Sequence, residues 1–235
     1  MESSAKKTKL VTNNTSGINT EIKVNEQKLQ TVTSFKYLGS VITDEGSKTE
    51  ILSWMAQTTA ALTRLKPVWI DKSISLGSKI RLMCSLVASI FLYACKSWTL
   101  TAEPQRRRIQ AMEMRCHRKI LNISYKDHAT NEEVRAKIQQ AIGPHEDPLT
   151  TVKRRKLQWY GNVSRSLGLA KTTLQGAVKG ERRQGRQRKR WEDNIREWTG
   201  LDFTKSQRAV ENREQWRKLV AKSSVVPQRP SRLRD

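Results

Sequence analysis

Ten cations in two short runs are the residues whose types and spacing point to chemistry, and that chemistry is the gripping of phosphate. The first run is Lys153, Arg154, Arg155 and Lys156, followed at once by Leu157, Trp159 and Tyr160. On a helix, such cations reach phosphates while neighbouring aromatics pack inward or stack on bases. The second run spans residues 181–190, where Arg182, Arg183, Arg186, Arg188, Lys189 and Arg190 make six basic residues in ten. Gly185 lets the backbone approach a phosphate closely, and arginine suits forked contacts to phosphate oxygens. The competing readings are a solvated basic face and, for the second run, a nuclear-import signal.

Catalytic patterns are missing. The sequence has no Walker-type loop, no Gly-x-Ser-x-Gly elbow and no adjacent Asp pair. Asp44, Asp71, Asp127, Asp147, Asp193, Asp202 and Asp235 are scattered through expected turns, helix starts and the tail. A two-metal phosphoryl-transfer site needs clustered carboxylates. Metal ligation has no spacing to support it either. His117, His128 and His145, with Cys84, Cys95 and Cys116, read as surface imidazoles and buried thiols. No metal site and no cofactor are expected.

The whole chain carries 45 Lys and Arg against 22 Asp and Glu, a net of +23 over 235 residues. Residues 1–149 hold 22 basic and 14 acidic side chains, and residues 150–235 hold 23 and 8. The surplus is therefore +8 in the first part and +15 in the second. Such a field favours a polyanionic partner. Apolar runs fall short of the ~20 residues of a membrane span. The N-terminus lacks the apolar core of a secretory signal, and three cysteines make no disulfide framework. An intracellular location follows.

The elements that must position these residues are mainly helical. Residues 8–43 read as short strands, with a turn at Asn25, Glu26 and Gln27. The stretch 32–43 is β-branched and aromatic, and Gly39 within it suggests a bend or close backbone approach. From Ser47 the period becomes helical, with Glu50 completing a capping box. Helices are expected from Ser47 to Pro67, from Leu76 to about Trp98, from Glu103 to Ile123 and from Thr130 to Gly143. Others are expected from Leu149 to Ser164, near 190–198 and over 204–221. Residues 167–190 read as irregular, because Gly168, Gly176, Gly180 and Gly185 oppose one long helix.

Three stretches in order resemble the C-terminal part of a non-LTR (LINE-type) retrotransposon reverse transcriptase. The first is Phe-Lys-Tyr-Leu-Gly-Ser-Val-Ile-Thr at 35–43. The second joins Leu-Tyr-Ala-Cys-Lys-Ser-Trp at 92–98, Met-Arg-Cys-His-Arg-Lys-Ile-Leu at 114–121 and Asp-His-Ala-Thr-Asn-Glu-Glu-Val at 127–134. The third joins Arg-Arg-Lys-Leu-Gln-Trp-Tyr-Gly at 154–161 with Gly-Arg-Gln-Arg-Lys-Arg-Trp-Glu-Asp-Asn-Ile at 185–195. The resemblance spans nearly the whole chain. It implies that Lys7 corresponds to a lysine near the incoming nucleotide's phosphates. It also implies that Phe35, Tyr37, Leu38 and Gly39 form the turn near the primer end. The family's Asp pair, which binds Mg2+, is expected upstream of Met1.

The expectations are these. The fold is mainly α, with a short N-terminal β-hairpin or ribbon, a helical bundle and a basic C-terminal helical segment. Its divisions are a palm remnant at 1–46, a thumb-like helical region at 47–166, a basic loop and helices at 167–222, and a flexible tail at 223–235. The chain is a non-catalytic fragment that binds RNA template, DNA primer or their hybrid through the ten cations named above. It locates to the nucleus, has no membrane partner and stands to meet the missing palm and fingers half. The alternatives are RNA-directed DNA polymerase activity, as in the parent family, and a host protein-interaction module derived from the element.

Overall fold

A computed structural model describes residues 8–11, 22–24, 26–37, 39–43, 47–100, 103–176 and 189–224. Contacts divide the chain into two compact units, residues 1–56 and 57–235. The architecture is mainly helical, with short strands near the N-terminus, as the sequence pattern predicts.

The strands are ribbons rather than a sheet. Strand β1 (Lys9–Leu10) pairs in parallel with β4 (Gln30–Thr31). Between them, β2 (Lys23–Val24) and β3 (Gln27–Lys28) form an antiparallel hairpin around the expected turn, where Glu26 has φ 62°. The β-branched stretch 32–43 forms a hairpin of β5 (Ser34–Tyr37) and β6 (Ser40–Thr43), in keeping with the bend expected at Gly39. Gly39 is its turn, with φ +87°. Two-residue hairpin turns need positive φ, which glycine adopts without a Cβ clash. Phe35 faces Ile42 across this ribbon and Tyr37 faces Ser40. Phe35 and Tyr37 stack on one another at 6.4 Å between ring centroids. Leu38 and Lys7 lie outside the described residues.

The helices follow the apolar periods closely. α1 (Ser47–Arg64) is followed by the short α2 (Lys66–Ile70), whose first turn contains Pro67. Proline is tolerated there because the first helical N–H groups have no partner to lose. The helix expected from Leu76 to Trp98 is shorter and interrupted. α3 (Leu76–Leu82) passes through a π-turn at Met83–Val87 into α4 (Ala88–Phe91), and turns follow to Trp98.

α5 (Glu103–Ile120) buries Ile109, Met112, Cys116 and Ile120 and exposes Arg107, Arg108 and Arg115. α6 (Asn131–Ile142) starts on a capping box in which Thr130 and Glu133 bond each other's backbone N–H, and Gly143 ends it. α7 (Pro148–Arg165) is capped by Asp147, whose carboxylate accepts from the Thr150 N–H at 2.9 Å. In the stretch expected to be irregular, the described residues include a short helix, α8 (Leu169–Gln175), and 177–188 lie outside the described residues. α9 (Trp191–Thr199), α10 (Phe203–Glu211) and α11 (Arg213–Ser224) complete the fold.

α7 is the hub of the C-terminal helices. Leu157 and Tyr160 form one cluster with Ile195, Val210, Trp216 and Val220 from α9, α10 and α11. The approach is tightest at Gly161, where an added Cβ would lie 2.3 Å from Trp216 Nε1. That indole N–H donates to the Leu157 carbonyl at 3.1 Å. Glycine is thus required at 161 for the Trp216 ring to lie against the α7 backbone.

Candidate nucleic-acid interface

Four consecutive residues on an α-helix cover most of its circumference, so Lys153 to Lys156 cannot share one face. Position 156 falls on the inward row of Leu149, Val152, Tyr160 and Val163, and Lys156 is 0% exposed. Its Nζ donates to the Trp98 carbonyl at 2.8 Å and to Asn194 Oδ1 at 2.9 Å. It also lies 4.3 Å from the centre of the Trp191 ring. Burial pushes its pKa down to about 6; Lys189 acts in the same direction, while Asp193 and Glu197 oppose it. A neutral amine has two N–H groups, and two acceptors stand ready for them. The expectation that Lys156 contacts phosphate is therefore corrected. Lys156 is a structural bolt.

Asn194 completes the bolt. It is 0% exposed and exchanges two hydrogen bonds of 2.9 Å with the Leu100 N–H and carbonyl. Trp191 Nε1 adds a bond to the Lys96 carbonyl at 2.8 Å. The segment 96–100, α7 and α9 are thereby pinned together through polar groups, although Trp98 Nε1 and Trp198 Nε1 are buried there without a hydrogen-bond partner. Trp159 is half-buried and packs edge-on against Trp191 at 5.3 Å.

The other expected contacts divide. Arg154 makes a forked pair with Glu146 at 2.7 and 2.8 Å. Arg155 Nη1 donates to the Leu92 carbonyl at 3.1 Å. Lys189 and Arg106 both pair with Glu197. Burial alone would raise the Glu197 pKa, but hydrogen bonds from Lys189 and Arg106 hold it below the usual range. Lys153 is half-buried near the same carboxylate, with burial and then Arg106 lowering its pKa. Glu197 thus pairs with Arg106 and Lys189, while Lys153 feels the charge of both Glu197 and Asp147. Arg190 is exposed at the start of α9. Arg182, Arg183, Arg186 and Arg188 lie outside the described residues.

A further cluster, made by the fold, went unread in the sequence. Arg165 at the end of α7 donates to the Val210 carbonyl and to Asn162 Oδ1, each at 2.9 Å. Burial lowers its pKa first, and the charges of Arg213 and Arg217 on α11 lower it further. Among the described residues, no carboxylate pairs with any of these three arginines. Positions 213 and 217 are one helical turn apart, which was legible; their meeting with 165 depends on the α7–α11 packing at Gly161.

Comparison with protein-family models, with curated proteins and with solved structures gave no match. No helix among the described residues is long and apolar enough to cross a membrane.

Proposed function

We propose that this chain binds nucleic acid, with RNA template or RNA–DNA hybrid as ligand, through phosphate contacts of little sequence preference. On this reading it is a non-catalytic piece akin to the thumb and C-terminal region of a non-LTR retrotransposon reverse transcriptase. The observation that carries the proposal is the Arg165–Arg213–Arg217 cluster. The charges of Arg213 and Arg217 reach Arg165 and lower its pKa, and among the described residues no carboxylate pairs with any of the three. Like charges held together are unfavourable until a polyanion joins them. The +15 surplus of residues 150–235 extends the same field. The outward residues Arg107, Arg108, Arg115 and Lys119 of α5 add exposed cations, although Arg107 also meets Glu103 at 3.6 Å.

Arginine is the suitable residue for this work. It keeps its charge under partial burial and presents a fork that matches phosphate oxygens. The proposed role is binding without nucleotide addition.

A filter-binding titration of the whole chain against a short RNA–DNA hybrid tests this. Affinity is expected to fall by ~10³-fold or more between 50 and 200 mM salt if six or more phosphates are contacted. A salt-independent affinity would remove the proposal. Nucleotide incorporation in a primer-extension assay with the purified chain would replace it with the polymerase reading.

A further inference from the structure

Away from the basic surface, α5 carries two polar side chains that face inward without adequate partners. Glu113 is 5% exposed and His117 is 1% exposed. They are four residues apart and so lie on one face of the helix. Glu113 Oε2 and His117 Nδ1 are both buried and lack a hydrogen-bond partner. Buried polar atoms of this kind are costly and rare. His145, from the connection between α6 and α7, closes the group. Its Nε2 stands 3.8 Å from Glu113 Oε1, and its ring meets His117 edge-on at 5.3 Å between centroids.

We propose that Glu113, His117 and His145 bind a divalent transition-metal ion, with Zn2+ the best fit to two imidazoles and one carboxylate. One ligand atom from each residue lies within 4.8 Å of the other two. Bonds of ~2.0–2.2 Å in a tetrahedral site place ligand atoms about 3.4 Å apart, so modest side-chain rotations complete the set. A water molecule would take the fourth position.

The surroundings carry both signs. The charge of Asp147 reaches Glu113 and His145 and favours a cation. Arg135 Nη2 lies 3.6 Å from Glu113 Oε2 and opposes it. Arg135 is an incomplete partner for the group, since its contact with Glu113 is 3.6 Å long and His117 Nδ1 has no hydrogen-bond partner. Bound there, the ion would tie α5 to the segment that leads into the Asp147 cap of α7. The site does not depend on the nucleic-acid reading.

The test uses the full chain stripped of metal with a chelator and titrated with Zn2+ by calorimetry and Co2+ by visible absorption. The expected results are one ion per chain and a raised Tm. Co2+ should give ligand-field bands without the thiolate charge-transfer band that the buried Cys116 would produce. His145→Gln and Glu113→Gln should each weaken Zn2+ binding by at least the ~10–100-fold that even outer-shell changes cost. His128→Ala, on an exposed residue outside the group, should change nothing. His145 is partly exposed, so its variant remains interpretable should Glu113→Gln unfold. Unaltered Zn2+ affinity in a folded His145→Gln chain, a thiolate band, or no binding by the parent chain would each overturn the proposal.

Discussion

α7 carries two cationic groups that meet opposite fates. At Lys156, in the middle of the helix, the amine is buried among Trp98, Trp191 and Asn194 and burial pushes its pKa down to about 6. At Arg165, near the C-terminal end, the guanidinium sits beside Arg213 and Arg217. Lysine loses its charge when desolvated, whereas arginine retains it under the same pressure. The residue that looks most basic within a run is therefore a packing element, and a lone arginine beyond the run belongs to the charged surface. A count of positive residues measures the field, but helical phase decides which of them face a ligand.

The sharpest way to break this comparison is to truncate the bolt. Lys156→Ala should lose about 3–5 kcal/mol of stability, since it opens a cavity and strips hydrogen bonds from Trp98 and Asn194. Urea denaturation measures it; a loss under ~1 kcal/mol would place the lysine in a looser environment than the structure gives. Gly161→Ala should cost about 1–3 kcal/mol by the same measurement, because the new Cβ meets the Trp216 ring. Replacing Arg213 and Arg217 by Gln should leave stability within roughly 1 kcal/mol, and adding Arg165→Gln should cost about 1–3 kcal/mol more through the lost bonds to Val210 and Asn162. The same triple variant should lose nucleic-acid affinity.

A pH series sharpens the contrast further. The folded pKa of Lys156 is about 6 and its ordinary value is 10.5. Between those values the unfolded chain binds the extra proton, so this residue's contribution to stability rises with pH across that window. Subtracting the stability curve of Lys156→Met from that of the parent chain should isolate a positive slope above pH 6. A flat difference would mean that the acceptors and the Trp191 ring hold the ammonium form after all.

Much of this was legible in the sequence. Thr130 with Glu133, Pro148 and Gly143 announce helix ends through local chemistry, and the inward rows of α5 and α7 follow the 3.6-residue period. The misses have physical causes. Reading residues 153–156 as one cationic unit ignored the 100° step of the helix, which the apolar row at 149, 152, 160 and 163 already fixed. The π-turn at Met83–Val87 has no sequence signature that apolar periodicity detects. Glu113 and His117 share a legible i, i+4 spacing, but His145 joins them only through the packing of α5, α6 and α7. The Arg165 cluster is likewise a product of tertiary contact.

On the proposed function, arginines of the α7 end and α11, and not the buried lysine, grip the nucleic acid. The most direct measurement is the slope of log affinity against log salt for three proteins: the parent chain, Lys156→Met, and the triple Arg165, Arg213 and Arg217→Gln. Each phosphate contact contributes ~0.9 to that slope on duplex, so the triple variant should be shallower by about 2–3 and Lys156→Met unchanged where folded. A slope that drops with Lys156→Met, or stays at the parent value in the triple variant, would contradict the account.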